Sequence, residues 1–373
     1  MLVSIVLATV IGVVGYTPTV NPLGVPLNVD WIYYYNALQR MLSSQNPVAE
    51  AFKAWQYSPG DRPLYMLMLY AIVKAFNVDV KALCMYHNIF LLQLYTLATY
   101  FMVKRIYGDE VAGIAALIAP TTPNIASFAY GGFQANLFTL SIIYIAIGLV
   151  AEGKWISILL VALISLIAIL SHIYTWIHFA SLFTAYLGLL TAMLIAKLIL
   201  RKSFDRKLAT KILAALAFII VGIALDVLVA SRFGLLKKVN IYYLFQQALA
   251  GLRRVSTLSF GKVMSNLEFY SNIYTGGSLN NPLYWLLLVT SSAFTPLAIE
   301  SAIFVYISMA LAVAAIAIDP LYTYRMLINT PTALVVAPLL ARLGKWERAL
   351  LLLSLYSVAV TKMLTFVPGL KIP

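Results

Sequence analysis

The stretch RPLYMLMLYAIVKAF, residues 62–76, decides how the chain is threaded through a membrane. It is apolar, yet it holds only 15 residues, and about 20 are needed to cross the hydrocarbon core of a bilayer. We therefore expect a helix that lies in the membrane interface, with its charged ends among the lipid headgroups. A true crossing here would move every later loop to the opposite side of the membrane.

The composition of the chain supports a membrane setting. Of its 373 residues, 62% are hydrophobic and 10% are charged. Soluble globular domains are roughly 45–50% apolar and about 25% charged. The apolar residues also fall in runs of about 20, the length of a transmembrane helix. The sequence therefore predicts an all-α polytopic membrane protein.

The net charge and the cysteine content exclude further classes. A formal charge of +13 is explained by basic loops beside anionic headgroups, so we expect membrane lipids rather than nucleic acid as partners. Cys84 is the one cysteine of the sequence, which excludes an internal disulfide and a thiolate metal cluster. No basic segment precedes the first apolar run, so a cleaved signal peptide is not expected.

About eleven transmembrane helices are expected, with interfacial helices in the first long loop. The pattern divides the chain into a membrane module (1–231) that includes a first outer loop (21–81), a second outer loop (232–281), and C-terminal helices (282–373). The predicted spans are Leu2–Val20, 82–103, 110–129, 134–151, 155–171, 174–200, 209–231, 282–297, 300–318, 322–341 and 347–367.

The short basic loops fix the expected orientation. Under this count they all fall on one side, which the positive-inside rule assigns to the cytoplasm. The two long loops then face outward, and the expected location is the plasma membrane of a prokaryote. The basic residues concerned are Lys104, Arg105, Lys154, the run RKSFDRK (201–207), Arg342, Lys345 and Arg348.

A second stretch, NVDWIYYYNALQRM (28–41), places a carboxylate and an aromatic cluster in the first outer loop. Asp30 could cap a helix beginning at Trp31, or it could act as a catalytic group. The tyrosines could form an interfacial aromatic belt, and Arg62 before Pro63 could anchor a surface helix. His172 and His178 lie six positions apart, on different helix faces, so a metal shared between them is not expected.

The order of these features resembles the GT-C superfamily of membrane glycosyltransferases, which use polyprenyl-phosphate sugars. A first helix precedes a long outer loop with an early acid, and a basic residue with proline then opens an interfacial helix (GDRPLYMLMLYAIVKAF). A span follows that ends in KRIYGDEVAGIAALIAPTTP, and a second long basic outer loop comes after the seventh span. The resemblance covers roughly the first two hundred residues in motif order and the rest in topology.

The resemblance implies a role for each candidate residue. Asp30 would be the catalytic base that takes a proton from the acceptor hydroxyl. The donor phosphate would be bound by Arg62, Arg325 and the second loop, through Arg253, Arg254 or Lys262. The expected substrate-binding residues are Tyr33, Tyr34, Asp61, Asn136, His172 and Tyr174.

The same chemistry follows from elementary considerations. A sugar hydroxyl needs a positioned base, and fixed cationic side chains can stabilise a leaving phosphate without a metal. The sequence has no DxD-like acidic pair, so a metal-independent, inverting reaction is expected. The absence of a soluble C-terminal domain favours transfer of a single sugar to a glycan, lipid or protein acceptor.

Two other functions fit the same sequence. A membrane transporter or lipid flippase would use Asp226, Glu300 and the histidines to line a path through the bundle. A noncatalytic GT-C-like subunit of a membrane complex would keep the scaffold without its chemistry.

Overall fold

The computed structural model describes residues 1–27, 29–53, 62–122, 124–129, 131–201, 203–233, 282–294, 298–315 and 320–364, with single positions at 246, 261 and 265. The secondary structure within these residues is helical, which confirms the predicted all-α class. In chain order the helices are α1 (Leu2–Val14), α2 (Trp31–Ser43), α3 (Pro47–Lys53), α4 (Pro63–Phe76), α5 (Val80–Tyr107), α6 (Asp109–Ile118), α7 (Asn124–Ala129), α8 (Gln134–Glu152), α9 (Trp155–Ser171), α10 (Ile173–Arg201), α11 (Arg206–Phe233), α12 (Pro282–Phe294), α13 (Ile299–Ala315), α14 (Pro320–Asn329), α15 (Ala333–Arg342) and α16 (Lys345–Leu364).

Long apolar helices form the body of the bundle. Within the described residues, α5, α8, α10 and α11 are long and apolar enough to cross a bilayer, and six further apolar helices have 10–17 residues. Helix α5 packs along α8, α6 and α1, while α9 packs against α8 and α11. The chain is therefore a membrane-type helical bundle, and the count of about eleven crossings stays a prediction.

The short basic loops meet at one end of the bundle, which we call the basic end. Arg105, near the end of α5, pairs with Glu152, at the end of α8 (Nη1–Oε1, 2.8 Å). Lys154, at the start of α9, pairs with the same carboxylate (Nζ–Oε1, 2.5 Å), and Gly153 lies against Lys207 of α11. These contacts bring three of the predicted cytoplasmic loops together, as the proposed topology requires.

Helix α4 begins and ends away from the basic end, as its length predicts. It has 14 residues. Because an α-helix rises roughly 1.5 Å per residue, α4 is only about 21 Å long. Helix α5 reaches the basic end at its C-terminus, so the α4–α5 connection at Asn77 lies at the opposite end. Arg62 precedes α4 and donates to the Tyr34 hydroxyl, which also accepts the Ala135 N–H at the start of α8, so this contact lies at that same opposite end.

Three predicted spans are markedly shortened or divided in the structure, and a proline lies at or near each break. Helix α1 ends at Val14 rather than Val20; Gly15 follows at once, and Pro18 disfavours helical geometry at Thr17. The predicted span 110–129 is divided into α6, a 3-10 turn (Ala119–Thr121) and α7, around Pro120. The span 322–341 is likewise divided into α14 and α15, which are separated by Thr330–Pro331–Thr332.

A buried indole joins α9, α10 and α11. The Nε1–H of Trp176 donates to Ser165 Oγ at 2.8 Å, and that hydroxyl donates to the carbonyl of Phe218 at 2.6 Å. The Trp176 ring stacks on Phe218 with centroids 6.1 Å apart. Gly222, one turn farther along α11, leaves the space that the indole fills.

We predict that Gly222→Ala destabilises the protein. A β-carbon at Gly222 would lie 2.1 Å from Trp176 Cζ2, so the indole would have to shift. Overpacking of this kind costs about 1–3 kcal/mol. Gly188→Ala in α10 is the matched control, because no heavy atom lies within 4 Å of its added β-carbon and alanine favours a helix. Thermal unfolding in detergent should lower Tm for the first variant alone; equal Tm values would contradict the packing.

Candidate active site

Asp30 occupies the position before α2 but does not cap that helix. Its side chain makes no capping hydrogen bond, although Trp31 is the first helical residue. Asp79, by comparison, does cap a helix: its Oδ1 accepts the Ala82 N–H in the first turn of α5 at 2.7 Å. Helix capping, one of the two interpretations of Asp30, is therefore not observed.

The surroundings of Asp30 change its proton affinity. Burial of the carboxyl raises its pKa to about 6, and the positive charges of Arg62 and Arg325 oppose this increase. Because 6 lies close to neutrality, the carboxylate is ionised at pH 7 but can still accept a proton during a reaction. The structure thus brings Asp30 within electrostatic range of two predicted donor-binding arginines from separate parts of the chain.

Arg62 joins three helices at this end of the bundle. It precedes Pro63 at the start of α4, and its side chain is buried. Its Nη1 donates to the hydroxyl of Tyr34 in α2 at 2.8 Å, and the same hydroxyl accepts the N–H of Ala135 in α8 at 3.4 Å. The guanidinium is therefore held in a defined place rather than extending freely from a surface helix.

An aromatic layer supports the Arg62–Tyr34 pair. The ring of Tyr34 meets the ring of Tyr65 edge-on, with centroids 5.9 Å apart. Tyr65 Oη lies 2.5 Å from His87 Nε2, and His87 Nδ1 lies 2.6 Å from the carbonyl oxygen of Leu83. A carbonyl only accepts, so Nδ1 carries the proton of a neutral imidazole and Nε2 accepts the Tyr65 hydroxyl.

Arg325 approaches the same region from α14. Its Cζ lies 5.9 Å from the ring centroid of Phe133 and 5.2 Å from that of Tyr174. Two aromatic faces therefore hold the guanidinium by cation–π contact. Its Nε–H is buried and has no hydrogen-bond partner within the described part of the chain. An anionic oxygen would satisfy this donor.

His172 belongs to a buried polar network between α8 and α10. Its Nδ1 lies 2.7 Å from Thr175 Oγ1, which also hydrogen-bonds Asn136 Oδ1. Burial lowers the pKa of His172 well below its usual value, and the charges of Arg62 and Arg325 lower it further. The imidazole is therefore neutral at pH 7 and lies close to both arginines.

The predicted site residues differ in where the structure places them. The structure brings Asp30, Arg62, His172, Tyr174 and Arg325 together. Asn136 and Tyr34 lie at the same place and, like Arg62 and His172, are buried. For Tyr34 this differs from the expected substrate contact, since its hydroxyl is engaged with Arg62 and Ala135. Tyr33 is half-buried on α2. Asp61, Arg253, Arg254 and Lys262 lie outside the described residues.

Sequence reasoning missed several residues that shape this site. Phe133 packs against Arg325, Thr175 links His172 to Asn136, and the pair Tyr65–His87 supports Tyr34. A usable signal was present for one of them. His87 and Asn88 stand together inside an apolar helix, where polar side chains require partners.

The arrangement can bind an anion and accept a proton. Two guanidinium groups and one carboxylate leave an excess of one positive charge at neutral pH. Among the described residues, no three His, Cys, Asp or Glu side chains stand together as a metal site.

We predict that Thr175→Val destabilises the protein. The change removes the hydroxyl shared by His172 and Asn136 and leaves buried polar atoms without that partner. A buried group left unsatisfied costs about 1–3 kcal/mol. Thr184→Val, in the same helix, is the control, because Thr184 is exposed and its hydroxyl donates to the carbonyl of Ala180 within its own helix. An unchanged Tm for Thr175→Val would contradict the network.

The fold as a whole is similar to a solved structure. That structure is an oligosaccharyltransferase from Archaeoglobus fulgidus, tethered through a disulfide bond to an acceptor peptide containing the NVT sequon. The TM-score is 0.54 at 12% identity, and the similarity covers 97% of this chain and 55% of the other, so the chain spans about half the length of the protein it matches. No protein-family model and no curated protein sequence matches the chain. The predicted resemblance to GT-C glycosyltransferases is therefore confirmed at the level of the fold.

Proposed function

We propose that the chain is a GT-C-type glycosyltransferase that moves a single sugar from a polyprenyl-phosphate donor to a hydroxyl of a glycan, lipid or protein acceptor. The observation that carries the proposal is the meeting of Asp30, Arg62 and Arg325 at one end of the bundle, in a fold shared with an oligosaccharyltransferase.

In this proposal the two arginines bind the donor phosphate. Arg62 comes from the first outer loop and Arg325 from α14, so they can approach the phosphate from different helices. Charges that are already fixed in place stabilise a developing anion more strongly than mobile water does. The buried Nε–H of Arg325 is one donor that such a phosphate oxygen would satisfy.

Asp30 acts on the acceptor. The acceptor oxygen attacks the anomeric carbon of the sugar, the bond between that carbon and the phosphate oxygen breaks, and the carboxylate of Asp30 takes the hydroxyl proton. The polyprenyl phosphate leaves with the bonding electron pair, and its added negative charge faces Arg62 and Arg325. Direct attack from the opposite side inverts the anomeric carbon.

The other candidates act around this centre. Neutral His172 can hydrogen-bond the phosphate without adding a third positive charge. The rings of Tyr33 and Tyr174 can face the sugar or the isoprenoid. Asn136 acts on substrate through Thr175 and His172 rather than by direct contact. Asp61, Arg253, Arg254 and Lys262 keep their proposed roles from the sequence.

The location of the reaction follows from the two ends of the bundle. If the basic end faces the cytoplasm, as the positive-inside rule directs, the site faces outward. We therefore propose an integral protein of a prokaryotic plasma membrane that works on the outer leaflet. The reaction is proposed to need no metal, since the arginines supply the positive charge.

We predict that Asp30→Asn abolishes sugar transfer. The amide keeps the size of the carboxyl group but cannot take the acceptor proton, and a positioned base contributes about 10²–10⁴-fold to rate. The measurement is transfer of radiolabelled hexose from a polyprenyl-phosphate donor to a membrane lipid extract, using purified protein in detergent. Asp79→Asn should remain active, because the amide oxygen can still take the place of the carboxylate in capping α5.

The outcomes of this assay separate the possible functions. Transfer that survives EDTA and is lost in Asp30→Asn supports a metal-independent enzyme with Asp30 as base. Full activity in Asp30→Asn overturns the assignment of the base. Absence of transfer from every donor tried would favour a noncatalytic subunit, and movement of lipid across proteoliposomes without transfer would favour a flippase.

The raised pKa of Asp30 predicts a pH dependence. The ionised form is the active base, so kcat/KM should decrease about tenfold per pH unit below about 6 and reach a plateau above it. The donor is a phosphodiester and does not titrate in this range. Arg325→Met removes a charge that favours the carboxylate, so the midpoint should shift upward. A midpoint near the ordinary aspartate value would contradict the burial of Asp30.

A further inference from the structure

The orientation of Arg62 depends on a residue that substrate cannot reach. Tyr34 has no exposed surface, and its hydroxyl accepts from Arg62 Nη1 at 2.8 Å and from Ala135 N–H at 3.4 Å. Two donors from different helices therefore converge on one phenol oxygen. The hydrogen bond from Nη1 to this oxygen therefore fixes the position of the Arg62 guanidinium.

The phenol itself is held rigidly by the interior of the bundle. Its ring meets Tyr65 edge-on with an interplanar angle of 72°, and Tyr65 also packs against Phe138 of α8. The Tyr65 hydroxyl bonds away from Tyr34, to His87 of α5. It is therefore the ring contacts that extend the support of Arg62 from α2 through α4 to α8.

The plane of a guanidinium matters for phosphate binding. Arginine binds a phosphate through two parallel N–H groups of a flat fork, so rotation of the fork breaks one bond even when the charge stays nearby. A hydrogen bond at Nη1 restrains this rotation. Arg62 Cζ also lies 5.8 Å from the centroid of the Tyr34 ring.

We propose that Tyr34 is a positioning residue for the donor phosphate: its buried hydroxyl sets the orientation of the Arg62 guanidinium. The inference rests on the proposed function, and it replaces the expected direct contact between Tyr34 and substrate. The hydroxyls of Tyr34 and Tyr65, two neighbouring buried tyrosines, therefore have different roles. The Tyr34 hydroxyl serves ligand binding, and the Tyr65 hydroxyl serves packing.

The test compares Tyr34→Phe with Tyr65→Phe in the full-length protein. Each change deletes one buried phenol oxygen and keeps the ring, so both variants should lose stability, but only Tyr34→Phe releases Arg62. The probe is radiolabelled undecaprenyl phosphate, the expected type of leaving product, bound by purified protein in detergent. We expect about a tenfold weaker Kd for Tyr34→Phe, as for loss of a hydrogen bond to a charged group, and less than a twofold change for Tyr65→Phe.

A double-mutant cycle with Arg62→Lys makes the test specific. Lysine keeps the charge but has no fork to orient, so adding Tyr34→Phe to Arg62→Lys should weaken binding by less than twofold. Transfer assays should show the same pattern, with a raised KM for donor in Tyr34→Phe alone. Tm measured for each variant shows whether lost binding merely follows lost folding.

The outcomes distinguish this inference from the function on which it rests. If Arg62→Met weakens binding but Tyr34→Phe behaves like Tyr65→Phe, the positioning role is wrong and the donor site stands. Additive effects in the double-mutant cycle also overturn it. If the unmodified protein does not bind undecaprenyl phosphate, the proposed donor site is refuted and the role of Tyr34 with it.

Discussion

The hydrogen bond from Arg62 to Tyr34 is the contact on which the geometry of the site depends. It joins the start of α4 to α2, and through the Ala135 N–H to the start of α8, so three helices that are distant in sequence share one phenol oxygen. Helix α4 has 14 residues, too few to cross the membrane, and this hydrogen bond attaches its N-terminal end to α2. The residue that first looked like a headgroup anchor thus becomes part of a buried polar centre.

The same end of the bundle holds a buried carboxylate, Asp30, whose ionised form is unfavourable for folding. A carboxyl group whose pKa is raised by burial binds its proton more tightly when folded, so its contribution to stability decreases as pH rises from the ordinary aspartate value towards about 6. At neutral pH the ionised Asp30 therefore opposes folding, and Arg62 and Arg325 reduce that cost. Groups held in unfavourable states of this kind concentrate at functional sites, where the perturbed pKa suits an acid or base. The Asp30 side chain does not cap α2, whereas that of Asp79 caps α5. This difference agrees with a functional constraint on the Asp30 carboxyl group.

The sequence could predict those features that depend on length and apolar pattern. The span predicted at 155–171 matches α9 at both ends, and the short helix predicted at 62–76 appears as α4, while its place in the membrane interface stays a prediction. Proline was the main source of error, since hydropathy alone does not register that Pro120 and Pro331 interrupt a helix. At the site, polar residues in apolar surroundings could be recognised individually, as with Arg62, His172 and Arg325. Their pairing could not, because the sequence indicates Tyr34 only as a substrate contact or an interfacial aromatic residue and does not show that the fold buries it against Arg62.

One other buried carboxylate, Glu300, has a different organisation, and the contrast bears on function. Glu300, near the basic end, is buried, and its Oε1 accepts from the Tyr186 hydroxyl at 2.7 Å and from Lys211 Nζ at 2.9 Å. This carboxylate is neutralised and hydrogen-bonded by neighbouring helices, which is how a structural ion pair avoids the cost of burial. A transport path would need such a group to exchange partners with a moving substrate. The site of Asp30 instead combines one carboxylate with two arginines and leaves a buried arginine N–H without a partner in the described part of the chain. An excess of positive charge at one end of the bundle suits the capture of an anionic headgroup there better than its passage through the bundle.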